Sequence, residues 1–236
     1  MVFKVFKTII LTTALIFPVY LAAQAHGQHS DNKTMHSNQV HSRASDSLNS
    51  RAVEADGHMR QFDFDKLVSH FENPERDKWQ KPELIIEKIE ALFGGKNSLR
   101  DKTVADIGAG SGYFAFRLAK KAKRVIAIDI DERFIDYIKS KNESLKLPVE
   151  TRLVKPDDPE LSPGEADLVM LVDTYHHIKN RPQYFRNIRE KLNSPGALVI
   201  VDFKKKELSF GPPLKMKLAP STVVMELVEA GFETIR

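Results

Sequence analysis

A doubly wound α/β fold, built on a mainly parallel sheet and preceded by a helical extension, is what this sequence predicts, on three observations. From residue 103 onward, short runs rich in Val, Ile and Leu alternate with stretches of helical periodicity, the pattern of strands covered on both faces by crossover helices. A turn with glycines at alternate positions, Gly108, Gly110 and Gly112, joins the first such run to the stretch after it, and glycine allows a sharp strand-to-helix reversal there. The 236 residues are 42% hydrophobic and 29% charged, ordinary for a globular chain able to bury ~70% of its unfolded surface.

Taken in order, Lys4 and Lys7 precede an uncharged, largely apolar run over residues 8–25 that ends in Ala23-Gln24-Ala25. A basic start, an apolar middle shorter than the ~20 residues that cross a bilayer, and small residues at the end predict a secretory signal over residues 1–25, cleaved after Ala25. The remainder is then exported, to the periplasm, with no stable membrane insertion; the alternative is an uncleaved N-terminal anchor. Residues 26–59 are rich in Ser, Asn, Asp, Gln and His and predict a flexible linker, because they bury too little to offset their ordering entropy. His26, His29, His36, His41, His58 and His70 fall in or near this stretch, but their spacing matches no closed metal site, so no metal centre is predicted.

The folded domain is expected over residues 60–236. Phe62, Phe64, Leu67, Val68 and Phe71 mark the apolar face of a short helix. Pro82 opens a second one carrying Leu84, Ile85, Ile89, Leu92 and Phe93, closed by Gly94-Gly95. Strands are predicted over 103–107, 124–128, 149–154, 167–172 and 197–203, and helices over 113–121, 132–141, 182–192 and 220–230. Beyond residue 232 only the start of another strand is expected, so the C-terminal strands read as incomplete: either the sequence is truncated or the fifth strand keeps an open edge.

Composition removes several function classes. The absence of cysteine excludes disulfide scaffolds, thiolate zinc sites, iron–sulfur clusters and cysteine nucleophiles. A net charge of +4, with the basic residues scattered, gives no reason to expect a nucleic-acid partner.

The chemistry gathers at the carboxyl ends of the predicted strands. Asp106, Gly108, Ala109, Gly110 and Gly112 form the first junction, and the next strand ends in Asp129, 17 residues after Gly112. A carboxylate at that place accepts from both hydroxyls of a ribose, so the pair of features predicts an adenosine-type ligand. A dinucleotide fingerprint requires Gly or Ala where Tyr113 stands. Asp106 beside a pyrophosphate is unfavourable, whereas beside an ammonium or a sulfonium it is favourable. S-adenosylmethionine carries both cations and no phosphate, and is the cofactor these residues favour over NAD.

Asp106-x-Gly108-x-Gly110-x-Gly112, the acidic Asp129 and the strand after Gly196 resemble the class I S-adenosylmethionine-dependent methyltransferases, over roughly residues 62–236. Residues 71–82 and 172–178 look like an exported bacterial subgroup of that family. The resemblance implies a Rossmann-like methyltransferase fold and transfer of a methyl group, by in-line displacement, to a small-molecule acceptor. It implies that the turn holds the methionine and ribose portions, with Asp106 near the cofactor's amino group. It also implies that Asp129 binds the ribose hydroxyls, Ile130 packs on adenine and Asp157 accepts from the adenine amino group. Asp173 would face both the methyl donor and the acceptor.

His176 follows Asp173 closely and is a candidate general base, since histidine titrates near neutrality; the alternative is that it only lines the pocket. Asp157 reads equally as part of an ordinary acidic turn between Pro156 and Pro159. Trp79 is expected to staple the N-terminal helices to the sheet, and Lys204-Lys205-Lys206 to form a loop on the ligand side. Two other functions fit the same residues: an exported non-catalytic protein holding an adenosine ligand or a metal on this scaffold, and a nicotinamide oxidoreductase, which Tyr113 and Asp106 disfavour.

Overall fold

In the computed structural model the described residues are 6–13 and 63–235. The expected linker over 26–59, five of the six N-terminal histidines and Phe62 lie outside them. The described elements begin with β1 (Phe6–Thr13), α1 (Phe64–Phe71), α2 (Glu75–Gln80) and α3 (Pro82–Leu92). There follow β2 (Thr103–Ile107), α4 (Ala115–Ala119), β3 (Arg124–Asp129), α5 (Glu132–Leu145) and β4 (Val149–Leu153). The chain continues through β5 (Ala166–Val172), α6 (Arg181–Lys191), β6 (Leu192–Phe203), α7 (Pro220–Glu229) and β7 (Glu233–Ile235).

The strands form one sheet in the order β4-β3-β2-β5-β6-β1-β7, with every neighbouring pair parallel. Successive residues of each central strand feed opposite layers, as the pleat requires. Val104, Val125, Leu168 and Val199 pack with Ile86 and Ile89 of α3, Leu118 of α4 and Ile138 of α5. Their neighbours Ala105, Ile126, Val169 and Leu198 pack with Phe185 and Ile188 of α6 and Leu227 of α7. Burying each large side chain of this kind stabilises by ~1.5–3 kcal/mol, so the two apolar layers hold the sandwich together. Strand order reverses between β2 and β5, which opens a crevice at their carboxyl ends, where ligands bind in sheets of this type.

The five expected strands and the doubly wound arrangement are present; several details differ. Residues 75–80, for which no helix is expected from the sequence, form α2; just ahead of it the Asn73 side-chain oxygen accepts from the Glu75 N–H at 2.9 Å. In α3 the inward face is Ile85, Ile86 and Ile89, while Leu84 is exposed. Tyr113 lies in a turn ahead of α4 rather than in the helix. The segment Ser194-Pro195-Gly196 is taken up inside β6, as an irregularity between the pairings Ala166 to Leu192 and Leu168 to Ala197.

The edge of β6 is covered, contrary to expectation. β1 lies along it in register from Phe6 opposite Gly196 to Thr13 opposite Phe203, and β7 pairs with the far side of β1. These eight residues open the stretch read as an export signal. The physical ambiguity is plain: a short run with Thr8, Ile9, Ile10, Thr12 and Thr13 suits a strand as well as the apolar core of a signal. Cleavage after Ala25 would remove β1. A chain lacking residues 1–25 is therefore expected to associate in a concentration-dependent manner through the bared β6 edge, as read by light scattering against the full chain.

Candidate functional site

The crevice is built around the turn after β2. Its first residues fold back on β3: the N–H groups of Gly108 and Ala109 both donate to the Ile128 carbonyl, at 2.8 and 3.0 Å. Gly108 and Gly110 have φ of +73° and +53°, a region glycine enters without the steric cost that other residues meet. At Gly108 a Cβ would meet the Thr174 hydroxyl oxygen at 2.4 Å, so the loop after β5 closes directly on the turn. Asp129 clamps the other side, accepting from the Gly110 N–H at 2.8 Å and the Asp131 N–H at 3.0 Å. Burial raises its carboxyl above the ordinary range, against these N–H bonds.

Asp106 ends buried beside this turn, and one of its carboxyl oxygens has no hydrogen-bond partner; the buried Ser111 hydroxyl has none either. Burial pushes the Asp106 carboxyl up to about 7, helped by the Asp129 charge and opposed by Arg76. Asp173 occupies the tip of β5 with φ of +52°, and its Oδ1 is buried without a partner. Burial carries its carboxyl to about 7 as well, with Arg76 opposing and the Asp202 charge adding. Unpartnered buried polar atoms in a native protein call for an account, and here three of them surround one crevice.

His176 stands in the single helical turn Tyr175–His177 after β5. Its Nδ1 lies 2.9 Å from each oxygen of Asp202 on β6, and its backbone N–H donates to the same carboxylate at 3.2 Å. The turn is anchored from below: the buried Tyr175 hydroxyl donates to Glu226 of α7 at 2.6 Å, and Arg181 of α6 holds that carboxylate by two further bonds. Asp173, His176 and Asp202 thus meet at adjacent strand tips.

The N-terminal helices roof the site. Phe71 lies over Gly110, where a Cβ would come within 3.3 Å of its ring. Arg76 reaches in from α2, stacked 4.0 Å from the centre of the Tyr113 ring, while Arg117 lies 3.9 Å from the same ring. The Tyr113 hydroxyl donates to Asp77, which also takes a bond from Arg117 at 2.9 Å. The residue that breaks the dinucleotide fingerprint therefore ties α2 to the turn. Trp79 packs on Phe203 and Phe210, with ring centres 6.2 and 5.0 Å away, so it staples α2 to the end of β6 as expected.

Asp106, Gly108, Ala109, Gly110, Gly112, Asp129, Asp173 and His176 are brought together, with the half-buried Ile130 at the tip of β3. Asp157 is exposed, in a turn closed by a bridge between Lys155 and Asp158, and no contact draws it into the crevice. Sequence reasoning missed Arg76, Gln80, Ser111, Thr174 and Asp202. A charged residue closing the apolar run of β6 was the only local signal, for Asp202. Nothing in the chain near Arg76 says what it faces. Among the described residues no three His, Cys, Asp or Glu side chains gather as metal ligands.

Comparison with known proteins agrees with this geometry. Residues 105–200 match a family model described as a methyltransferase domain. A solved S-adenosylmethionine-dependent methyltransferase from Aquifex aeolicus superposes with a TM-score of 0.65 at 26% identity, over 74% of this chain and 91% of that one. The tRNA U34 carboxymethyltransferase of Actinobacillus succinogenes is 30% identical over 104 residues, 43% of this chain and 32% of its own length. The enzyme of the same name from Aliarcobacter butzleri is 23% identical over 150 residues, 58% and 49% respectively. The chain thus spans between a third and a half of these curated relatives.

Their name corrects one expectation. A small-molecule acceptor and the exclusion of nucleic acid rested on a modest net charge, whereas these relatives are named for action on tRNA. Net charge averages over the whole surface and says nothing of a local basic patch. With the glycine turn, the acidic strand tips and the matched residues 105–200 in place, the chain is similar to S-adenosylmethionine-dependent methyltransferases.

Proposed function

We propose that the protein transfers a methyl group from S-adenosylmethionine, bound over the glycine turn, to a nucleophile held beside Asp173 and His176. The observation that carries this reading is the buried, unpartnered oxygen of Asp106, next to the unpartnered Ser111 hydroxyl. A cationic ligand with hydrogen-bonding groups satisfies both atoms, whereas a pyrophosphate meets a buried carboxyl instead. When bound, S-adenosylmethionine supplies a methyl group activated by its sulfonium. Asp106 attracts the cationic end. Asp129 already accepts one N–H on each oxygen, and a carboxylate oxygen has a second lone pair to offer a ribose hydroxyl. Ile130 offers an apolar wall at the tip of β3.

On the acceptor side the chain holds a proton acceptor in place. With Nδ1–H donated to Asp202, His176 keeps the tautomer whose Nε2 lone pair is free to take a proton from the acceptor. For an acceptor that is already nucleophilic, alignment alone supplies much of the rate.

The acceptor class we propose is RNA. Lys205, Lys206 and Lys215 are exposed on the segment after β6. Lys217 bonds the Lys206 carbonyl at 3.1 Å and so draws the two parts of that segment together. The half-buried ring of Phe210 lies on the same segment, with the half-buried Trp79 of α2 packed against it. Cations beside aromatic rings suit a nucleic-acid strand, and the name of the curated relatives supports the same class.

Calorimetric titration of S-adenosylmethionine, S-adenosylhomocysteine and NAD tests the first proposal: the first two are expected to bind and NAD is not. Transfer of label from methyl-labelled donor to tRNA tests the second. In that assay His176→Ala is expected to lower turnover, with donor affinity retained. Binding of NAD alone overturns the cofactor assignment, and label that never reaches RNA overturns the acceptor class.

A further inference from the structure

We propose that the outer edge of β4 pairs antiparallel with the β4 edge of a second copy of this chain, about a two-fold axis at Thr151, so that two seven-stranded sheets join into one. The pairing involves neither the donor side nor the acceptor side of the crevice.

β4 ends the sheet, and among the described residues no strand pairs with its outer side. On its inner side the ladder to β3 uses even-numbered residues. The Val125 N–H donates to the Pro148 carbonyl at 2.8 Å, and the Val154 N–H donates to the Asp129 carbonyl at 3.1 Å. Backbone groups alternate in direction along a strand, so those of Val149, Thr151 and Leu153 point outward. Val149 is partly served within the chain: its N–H donates to the Leu147 carbonyl at 2.7 Å, and its carbonyl takes the Asn142 amide at 3.5 Å. Thr151 and Leu153 present the row of outward N–H and carbonyl groups on which another strand can pair.

The side chains select the partner and the register. The strand reads Val149, Glu150, Thr151, Arg152, Leu153 and is complementary to its own reverse. An antiparallel copy centred on Thr151 sets Glu150 opposite Arg152 of the second copy, Val149 opposite Leu153, and Thr151 opposite itself. Opposite charges and apolar pairs placed this way are favourable. A slip of two residues, the smallest that keeps outward groups facing one another, sets Glu150 against Glu150 or Arg152 against Arg152, and like charges directly opposite are destabilising. Charged residues on an edge ordinarily deter association. Here two of opposite sign, at mirror positions, favour one partner in one register.

Those charges are also fixed in advance. Arg152 donates to Glu150 at 2.7 Å and to Glu165 at 2.9 and 3.0 Å, and Arg124 donates to the same two carboxylates. Two arginines and two glutamates make a neutral cluster beside the edge, so a second copy approaches without net repulsion. The Glu150 side chain remains 41% exposed and Leu153 45% exposed; covering Leu153 with Val149 of the second copy removes apolar surface from water.

The chain contains no cysteine, so Thr151→Cys places a single thiol of each copy at the axis. A hydrogen-bonded antiparallel pair sets its Cα atoms about 5.5 Å apart, within the ~4.4–6.8 Å that a disulfide accepts. Under copper–phenanthroline, Thr151→Cys is expected to run as a cross-linked dimer that reductant reverses, while Glu87→Cys, exposed on α3, stays a monomer on the gel. In sedimentation equilibrium the wild-type chain is expected to show twice the mass of one chain. Thr151→Pro is expected to weaken that association about tenfold or more, because the outward N–H is lost while the bonds to β3 keep their donors. Glu150→Lys, which sets an ammonium opposite Arg152, is expected to weaken it as well and carries the comparison if the proline variant does not fold. A wild-type chain that sediments as a monomer throughout the micromolar range overturns the inference. So do equal cross-linking of the two cysteine variants and a dimer that neither substitution weakens.

Discussion

Replacing Gly108 by alanine is expected to destabilise the fold by about 2–5 kcal/mol and to abolish donor binding in whatever fraction stays folded. Two costs add. At φ of +73° a residue with a Cβ sits in left-handed backbone, at ~1–2 kcal/mol. The new methyl would also stand 2.4 Å from Oγ1 and 2.6 Å from Cγ2 of Thr174, and overpacking of this kind costs about 1–3 kcal/mol. Thr174 has little room to yield, because its hydroxyl is bonded to the Val172 carbonyl at 2.9 Å and its neighbour Asp173 donates its N–H to Val201 at 2.8 Å. Relief must come from moving the turn, and with it Gly110 and Asp129. Chemical denaturation measures the first effect and calorimetry the second. Gly94→Ala is the control: its φ is also positive, at +112°, but nothing lies within 4 Å of the added carbon, so only the backbone cost is expected and binding is retained. A Gly108→Ala chain as stable as wild type would contradict the close approach of the two loops.

Asp106→Asn is expected to move stability and binding in opposite directions. In the folded chain the Asp106 carboxyl keeps its proton up to about 7, against an ordinary value of 3.8, because burial disfavours the charge. Linkage then fixes the sign. The unfolded chain ionises first, so this group's contribution is fully present below pH 3.8 and is lost as pH rises to about 7. Asp173 acts in the same direction over the same window. Glu165 acts oppositely: bonds from Arg152 hold it at about 2, so its contribution is present above 4.5 and is lost as pH falls. Asparagine cannot ionise. The variant is therefore expected to melt higher than wild type at pH 8 and at the same temperature near pH 4. Its affinity for S-adenosylmethionine is expected to fall about tenfold or more at pH 8, since an ion pair is lost. Wild-type affinity should weaken as pH falls through 7, and that dependence should flatten in the variant. Thermal melts and titrations at pH 5 and pH 8 check each sign. A variant that binds as tightly as wild type at pH 8 would remove Asp106 from the site.

Much of the scaffold was legible in the chain because the signals for it are local. β2, β3 and β5 are buried on both faces and read as predominantly apolar runs. The glycine turn announces itself because its backbone admits few other residues, and the acidic tips of β2 and β3 stand out against apolar strands. Arg76 and Asp202 were not legible. Arg76 lies 30 residues before Asp106 in a polar segment, and only the roofing of α1 and α2 over the crevice gives its charge a partner. Asp202 acquires meaning from parallel pairing of β5 with β6, which sets it opposite His176. The apolar run after Lys7 carries a local signal that does not choose between strand and export signal, since the two share a composition.

The chain by itself determined the layered α/β architecture, the order of its central elements and the presence of a glycine turn between two carboxylates, because periodicity, glycine conformation and strand-end charge are properties of neighbours in sequence. Tertiary structure alone decided what covers the β6 edge, which histidine nitrogen is held, and that a guanidinium from a distant helix faces two buried carboxyls. Those are contacts between segments far apart along the chain, and their energies exist only once the intervening water has been excluded.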